Sequence, residues 1–150
     1  MRKGFALFLI LSFYIGCNSE NSLNVRKGTF KILNDDSTIT VILRDGDYQY
    51  EYSPDHIERN KLLKIIWKEK YNYISEVVDK KTAFDTLRLF SEIYDVGDNG
   101  YYEATFREGT HLKYETHVTK ISDTVSDLLQ QVLLKNGIKP NSTETPSAKQ

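Results

Sequence analysis

The side chains that can do chemistry in this chain are few and widely spaced. His111 and His117 fall on what reads as one strand, on the face opposite Leu112 and Tyr114. At about 3.3 Å per residue they stand roughly 20 Å apart, too far to share a metal ion. His56 sits in a loop with Asp55 and Glu58 and no second ligand pair, the setting of a solvated histidine. Asp95, Asn99, Gly100 and Glu103 match positions one, five, six and nine of a calcium loop, but Gly97 and Phe106 occupy positions three and twelve. The bidentate carboxylate is therefore missing, and Gly97-Asp98-Asn99-Gly100 is expected to be a plain turn. No Gly-rich phosphate loop, nucleophile elbow or Ser/His/Asp spacing appears. The expectation is a protein that is not an enzyme and holds no metal or cofactor.

A different kind of chemistry is suggested by the aromatic residues. Tyr48, Tyr50 and Tyr52 alternate with Gln49 and Glu51, so they share one face of a strand. Trp67, Tyr71 and Tyr73 follow close by in sequence. Such a row either lines a pocket for an apolar or ring-shaped ligand or forms the core face of its strand. These six residues are the candidate ligand-binding set.

Cys17 is the only cysteine. It follows Arg2 and Lys3, an uncharged and mostly apolar run from Phe5 to Ile15, and a small residue, Gly16. The run is shorter than the ~20 residues needed to span a bilayer but matches the apolar core of a secretory signal. Tyr14-Ile15-Gly16-Cys17 resembles the lipobox of bacterial lipoprotein signals, with Tyr14 where Leu is usual. The resemblance implies cleavage before Cys17, a diacylglyceryl group on its thiol and an acylated new amino terminus. Cys17 is thus the expected lipidation site. It implies a cell-envelope, lipid-anchored protein on the periplasmic or cell-surface side. Each buried CH₂ contributes about 0.8 kcal/mol, so two or three acyl chains attach a protein stably where one does not.

Removing the 16 residues before Cys17 leaves 134 of the 150, enough for one domain with its own core. Arg2 and Lys3 leave with them, so 18 basic residues face 21 acidic ones, a net of −3. That balance argues against nucleic acid or anionic lipid heads as partners. With Cys17 acylated there is no disulfide, and burial alone must hold the fold.

The elements follow from periodicity. Residues 17–27, the lipidated Cys and a polar stretch, read as a flexible tether in which Leu23 and Val25 begin to pack. Residues 28–121 read as a β-meander. Phe30 and Ile32 share a face; Asn34 to Ser37 is turn material; Ile39, Val41 and Leu43 alternate with Thr38, Thr40 and Arg44; Asp45-Gly46 marks a hairpin. Residues 54–68 carry both a helix start, Ser53-Pro54-Asp55, and the strand alternation of Leu63, Ile65 and Trp67. A loop or single helical turn over 54–60 and a strand over 61–68 is expected. Further strands are expected over 71–78 and 86–96, then one with Tyr102, Ala104 and Phe106 alternating and one with Leu112, Tyr114, Thr116 and Val118. Val125, Leu128, Leu129, Val132 and Leu133 form one helical stripe, so residues 122–137 are expected to be a C-terminal amphipathic helix, capped at Ser122 or Asp123 and stopped by Gly137. Residues 138–150 are polar and expected to be a disordered tail.

About eight short strands joined by short connections make a mainly β chain, an antiparallel up-and-down meander or small barrel with one helix. Gly28-Thr29-Phe30 resembles the Gly-X-Trp opening of lipocalins, with Phe in the Trp position, so the implied architecture is lipocalin-like. Gly28-Thr29-Phe30-Lys31, Arg44-Asp45-Gly46 leading into Gln49-Tyr50-Glu51-Tyr52, and Lys64-Ile65-Ile66-Trp67 before Tyr71 are similar to short uncharacterised envelope lipoproteins of Bacteroidota-type bacteria. That likeness covers roughly residues 1–121 and implies a fold and a location. The expected role is binding of a small apolar ligand or lipid. The alternative is an accessory or scaffold subunit that docks on another envelope protein through exposed aromatics or the terminal helix.

Overall fold

A computed structural model describes residues 22–140. Cys17, the signal segment and the end of the tail lie outside the described residues. Eight strands follow one another: β1 (Lys27–Leu33), β2 (Ile39–Asp45), β3 (Tyr48–Tyr52), β4 (Lys61–Trp67), β5 (Asn72–Val77), β6 (Leu89–Tyr94), β7 (Gly100–Arg107) and β8 (Lys113–Ser122). Each pairs antiparallel with the next, and β8 returns to pair with β1, so the sheet is a closed barrel. Closure leaves no strand edge unpaired. One helix, α1 (Leu128–Lys135), follows.

Residues 54–68 resolve as expected, with a 3₁₀ turn at Ile57–Arg59 and then β4. The β2–β3 hairpin falls one residue later than Asp45-Gly46 suggests. Asp45 pairs with Tyr48, and Gly46, at φ +61°, takes the first of two loop positions. A positive φ at that position alone is the pattern of a type II′ hairpin. Two other glycines set the seam of the barrel on either side of β8. A Cβ at Gly28 would stand 2.5 Å from the Ser122 carbonyl, and one at Gly100 would stand 2.4 Å from that of Val118. Only glycine lets β1 and β7 approach β8 so closely.

Up-and-down order gives the barrel two different ends. One carries residues 22–26 and the β2–β3, β4–β5 and β6–β7 turns; the other carries the β1–β2, β3–β4, β5–β6 and β7–β8 connections. The first end is filled. Val25, Phe30, Ile65, Tyr73, Ile93, Tyr101 and Val118 form a buried core with Leu23, Trp67 and Tyr71 packed on it. Residues 22–26 are thus part of the fold and not tether: Val25 is buried, and Lys120 donates to the Asn24 carbonyl.

The helix is shorter than the stripe implies. β8 runs to Ser122, whose hydroxyl pairs with that of Thr124, so the helix cannot begin there. It starts at Leu128, whose N–H donates to the Ser126 hydroxyl. It ends as expected at Gly137, φ +72°, where Ile138 N–H reaches the Leu133 carbonyl and Gly137 N–H that of Leu134. This is a Schellman stop, and Ile138 joins the apolar cluster beneath. Leu129 and Leu133 bury against Leu43 and Leu62 on the outer wall of β2 to β4.

On β2 to β4 that outer cover goes with the choice of which face is inside. Val41 and Leu43 on β2 pack outward with α1, while Ile42 and Arg44 point inward. On β7, Tyr102 and Phe106 are outward and about 40 % exposed, and Tyr101, Glu103, Thr105 and Arg107 face the interior.

Candidate functional site

The interior is more polar than the alternation of apolar residues suggests. β2, β3, β5 and β7 bring Arg44, Gln49, Glu51, Tyr73, Tyr101 and Glu103 together inside the barrel. Arg44 is fully buried. Its Nε donates to Gln49 Oε1, its Nη1 donates to the Val25 carbonyl at 2.9 Å and the Tyr101 hydroxyl at 3.2 Å, and its Nη2 donates to the Tyr73 hydroxyl at 3.2 Å. Its charge is balanced by Glu103, whose Oε2 lies 3.8 Å from Nη2. The guanidinium also lies 5.1 Å from the Tyr73 ring centroid, 5.6 Å from that of Phe30 and 5.7 Å from that of Trp67. A planar five-donor cation suits this setting because its edges reach acceptors while its faces lie on rings.

The hydrogen bonds run on from there towards the open end. Gln49 Nε2 donates to Glu51 Oε1. The Tyr73 hydroxyl donates to Glu103 Oε1 at 2.7 Å, and the Thr105 hydroxyl donates to the same atom at 3.2 Å. Burial pushes the Tyr101 hydroxyl up to about 12 and also raises the Tyr73 hydroxyl well above its ordinary value, the latter aided by Glu103. Burial also raises Glu51 above the usual carboxylate range, against the opposing pull of Gln49. Burial works against the charge on Arg44, but Tyr101, Tyr73, Glu103 and Glu51 outweigh it and raise its pKa.

Above this cluster the barrel is not filled. A cavity of about 260 Å³ is lined by Glu51, Ser75, Ser91, Glu103, Thr105 and Arg107 together with apolar residues such as Ile32, Leu63, Val77, Leu87 and Leu89. It meets a wider hollow at the mouth, to which Lys61, Phe84 and Asp85 contribute. Asp85 is held in place by its own turn: it accepts from the Lys81 and Thr82 amides and the Thr82 hydroxyl, with Lys61 Nζ 3.4 Å away. The Thr82 bonds above all hold its carboxyl down near 2.

The expected binding residues do not form one pocket. Tyr48, Tyr50 and Tyr52 face outward and pack in the cluster under α1, the latter two with rings stacked 5.7 Å apart. Tyr73 is inside, in the Arg44 cluster. Trp67 and Tyr71 pack at the filled end, where Trp67 Nε1 donates to the Gly46 carbonyl and Arg26 lies 4.5 Å from its ring. The residues that line the cavity were the other half of the alternation. Gln49 and Glu51 interleave with the tyrosines, and Glu103, Thr105 and Arg107 interleave with Tyr102, Ala104 and Phe106. Their signal was the shared phase with Arg44, which faces Gln49 across the β2–β3 pair.

The histidines stay apart. His117 faces outward, its ring 4.8 Å from that of Tyr102, and His56 pairs with Glu58 at 3.1 Å. The Gly97–Gly100 turn closes through the Gly97 N–H and the Gly100 carbonyl. Among the described residues no three His, Cys, Asp or Glu side chains converge on a metal position, and no helix is long and apolar enough to cross a membrane. The chain matches no protein-family model, no curated protein and no solved structure.

Proposed function

We propose that this chain is a lipid-anchored envelope protein whose barrel holds a small polar ligand at its open end. The observation that carries the ligand reading is the cavity of about 260 Å³ above the Arg44 cluster, where charged and hydroxyl groups stand among apolar side chains. The carboxylates, hydroxyls and guanidinium in that lining are costly to cover with a wholly apolar molecule. The tyrosine row that argued for an apolar ligand is occupied by α1. At ~30 Å³ per water, the cavity has room for about nine waters, the size of a small metabolite, and it opens into the hollow at the mouth.

The anchor reading rests on the lipobox resemblance of Tyr14 to Cys17. The chain enters the barrel at its filled end, and the residues between Cys17 and Ser22 reach at most roughly 18 Å. An acylated Cys17 would therefore hold the filled end near the bilayer and turn the mouth away from it. Native mass spectrometry of the full chain, extracted from envelopes in detergent and not refolded, tests the ligand reading. A retained polar small molecule is expected, and an empty protein counts against it. For the anchor, Cys17→Ala should release the protein from membranes and end labelling by palmitate, whereas continued labelling would refute the site.

A second reading, an accessory subunit, is favoured by a strip of aromatics on the outer wall. Phe90 lies directly across from Phe106, and Tyr94 from Tyr102, with each of the four between 37 and 42 % exposed. A photo-crosslinker at Phe106 should then capture a discrete envelope protein in intact cells. Its failure to do so removes this reading.

A further inference from the structure

Arg107 is unlike the other arginines among the described residues. Arg26 donates to the Glu69 carbonyl, Arg44 to four acceptors, Arg59 to Asp36 and Arg88 to Glu108. Among the described residues, no hydrogen bond or ion pair is made by the Arg107 guanidinium, and its Nε is buried without a partner. Arg107 lines both the cavity and the hollow at its mouth, so a guanidinium without an internal partner is open there to one from outside the chain. The head group is nonetheless held in place: it lies 5.4 Å from the centroid of the Phe84 ring. Contact with the ring restrains the head group and uses none of its five donors.

The nearby acids do not neutralise it. Glu103 is shared by Tyr73, Thr105 and Arg44, and Asp85 by its own turn and Lys61. Glu51 faces the same cavity from β3, across the barrel from β7, with Oε1 accepting from Gln49. The cavity thus has an uncommitted cation at its mouth and hydroxyls from Ser75, Ser91 and Thr105 along its wall. Resting on the polar-ligand reading above, we infer that the cavity takes a small organic acid and that Arg107 pairs with its carboxylate. Guanidinium and carboxylate match as two parallel N–H···O bonds, which gives orientation as well as affinity. Burial raises the Glu51 pKa, which works against its charged form and so against repulsion of an anion.

The test is titration of the ¹⁵N-labelled full chain in detergent with acetate, lactate, succinate, glycine and benzoate, with ethanolamine as the cationic control, following the arginine Nε–H resonances. At least one of the acids should shift the Arg107 signal saturably, and ethanolamine should not. Arg107→Met should weaken that binding roughly 10- to 150-fold, the loss expected for charge-assisted hydrogen bonds. Arg88→Met, which breaks an exposed pair with Glu108, should leave it unchanged. Trp67 emission, reporting the filled end, checks that the Arg107 variant is folded. No saturable shift with any of the acids, or equal affinity in Arg107→Met, overturns the inference. A natural adduct still retained by Arg107→Met would leave the polar-ligand reading standing and sink the carboxylate alone. Absence of both adduct and saturation would sink the two together.

Discussion

Replacing Arg44 with Met tests the interior cluster most directly. Met is close in length and apolar, so little cavity is created, and the cost comes from the partners left behind. The Val25 carbonyl and Gln49 Oε1 lose their donors inside the barrel, and Glu103 loses a counter-charge 3.8 Å away. Each stranded acceptor costs about 1–2 kcal/mol, and breaking a buried ion pair by removing one member costs about 3–5 kcal/mol in total. Glu103 keeps the Tyr73 and Thr105 hydroxyls, so the lower half of that range, about 3–4 kcal/mol, is expected. Urea unfolding followed by emission of Trp67, the only tryptophan, is the assay. With a slope near 1.5–2 kcal/mol/M, the midpoint should fall by about 2 M. Arg44→Lys keeps the charge and loses the fork, so it should lie between parent and Met variant. Adding Glu103→Gln to Arg44→Met should recover part of the loss, because no carboxylate is then left without its cation. A Met variant within about 0.5 kcal/mol of the parent, or a double variant no better than the single one, would refute the account of Arg44 as the charge that holds this interior together.

Three further outcomes are expected. Gly100→Ala should cost about 1–3 kcal/mol by driving a Cβ into the Val118 carbonyl, whereas Gly97→Ala, whose nearest contact is 3.8 Å away, should be near neutral in the same unfolding assay. Leu133→Ala should cost about 2–5 kcal/mol and loosen α1 from the β2–β4 wall, seen as faster amide exchange in that helix. Glu51 has a folded-state pKa above its ordinary 4.5, so the protein gives up stability as pH rises from that value through the raised one. Glu51→Gln should therefore be more stable than the parent at pH 7 and equal to it near pH 3; a parent more stable at pH 7 would show that Arg44 and Lys61 outweigh burial.

The sequence by itself determined the strand count, the connections and the terminal stripe, because each rests on local rules. Strand alternation shows in Tyr48 to Tyr52, turn chemistry in Gly46 and Gly97-Asp98-Asn99-Gly100, and the helix stop in Gly137. Local rules also foresaw one strand and one turn in the ambiguous stretch from Pro54 to Trp67. They could not say which face of a strand is inside. Period two supplies two faces, and the choice between them depends on what covers the outside, here a helix arriving from the far end of the chain. Once α1 covers the tyrosine row, Gln49 and Glu51 must face the interior. They are tolerated there because Arg44 donates to Gln49, which in turn donates to Glu51. The cavity and its uncommitted Arg107 follow from the same inversion, set by barrel closure and long-range packing, which no spacing along the chain records.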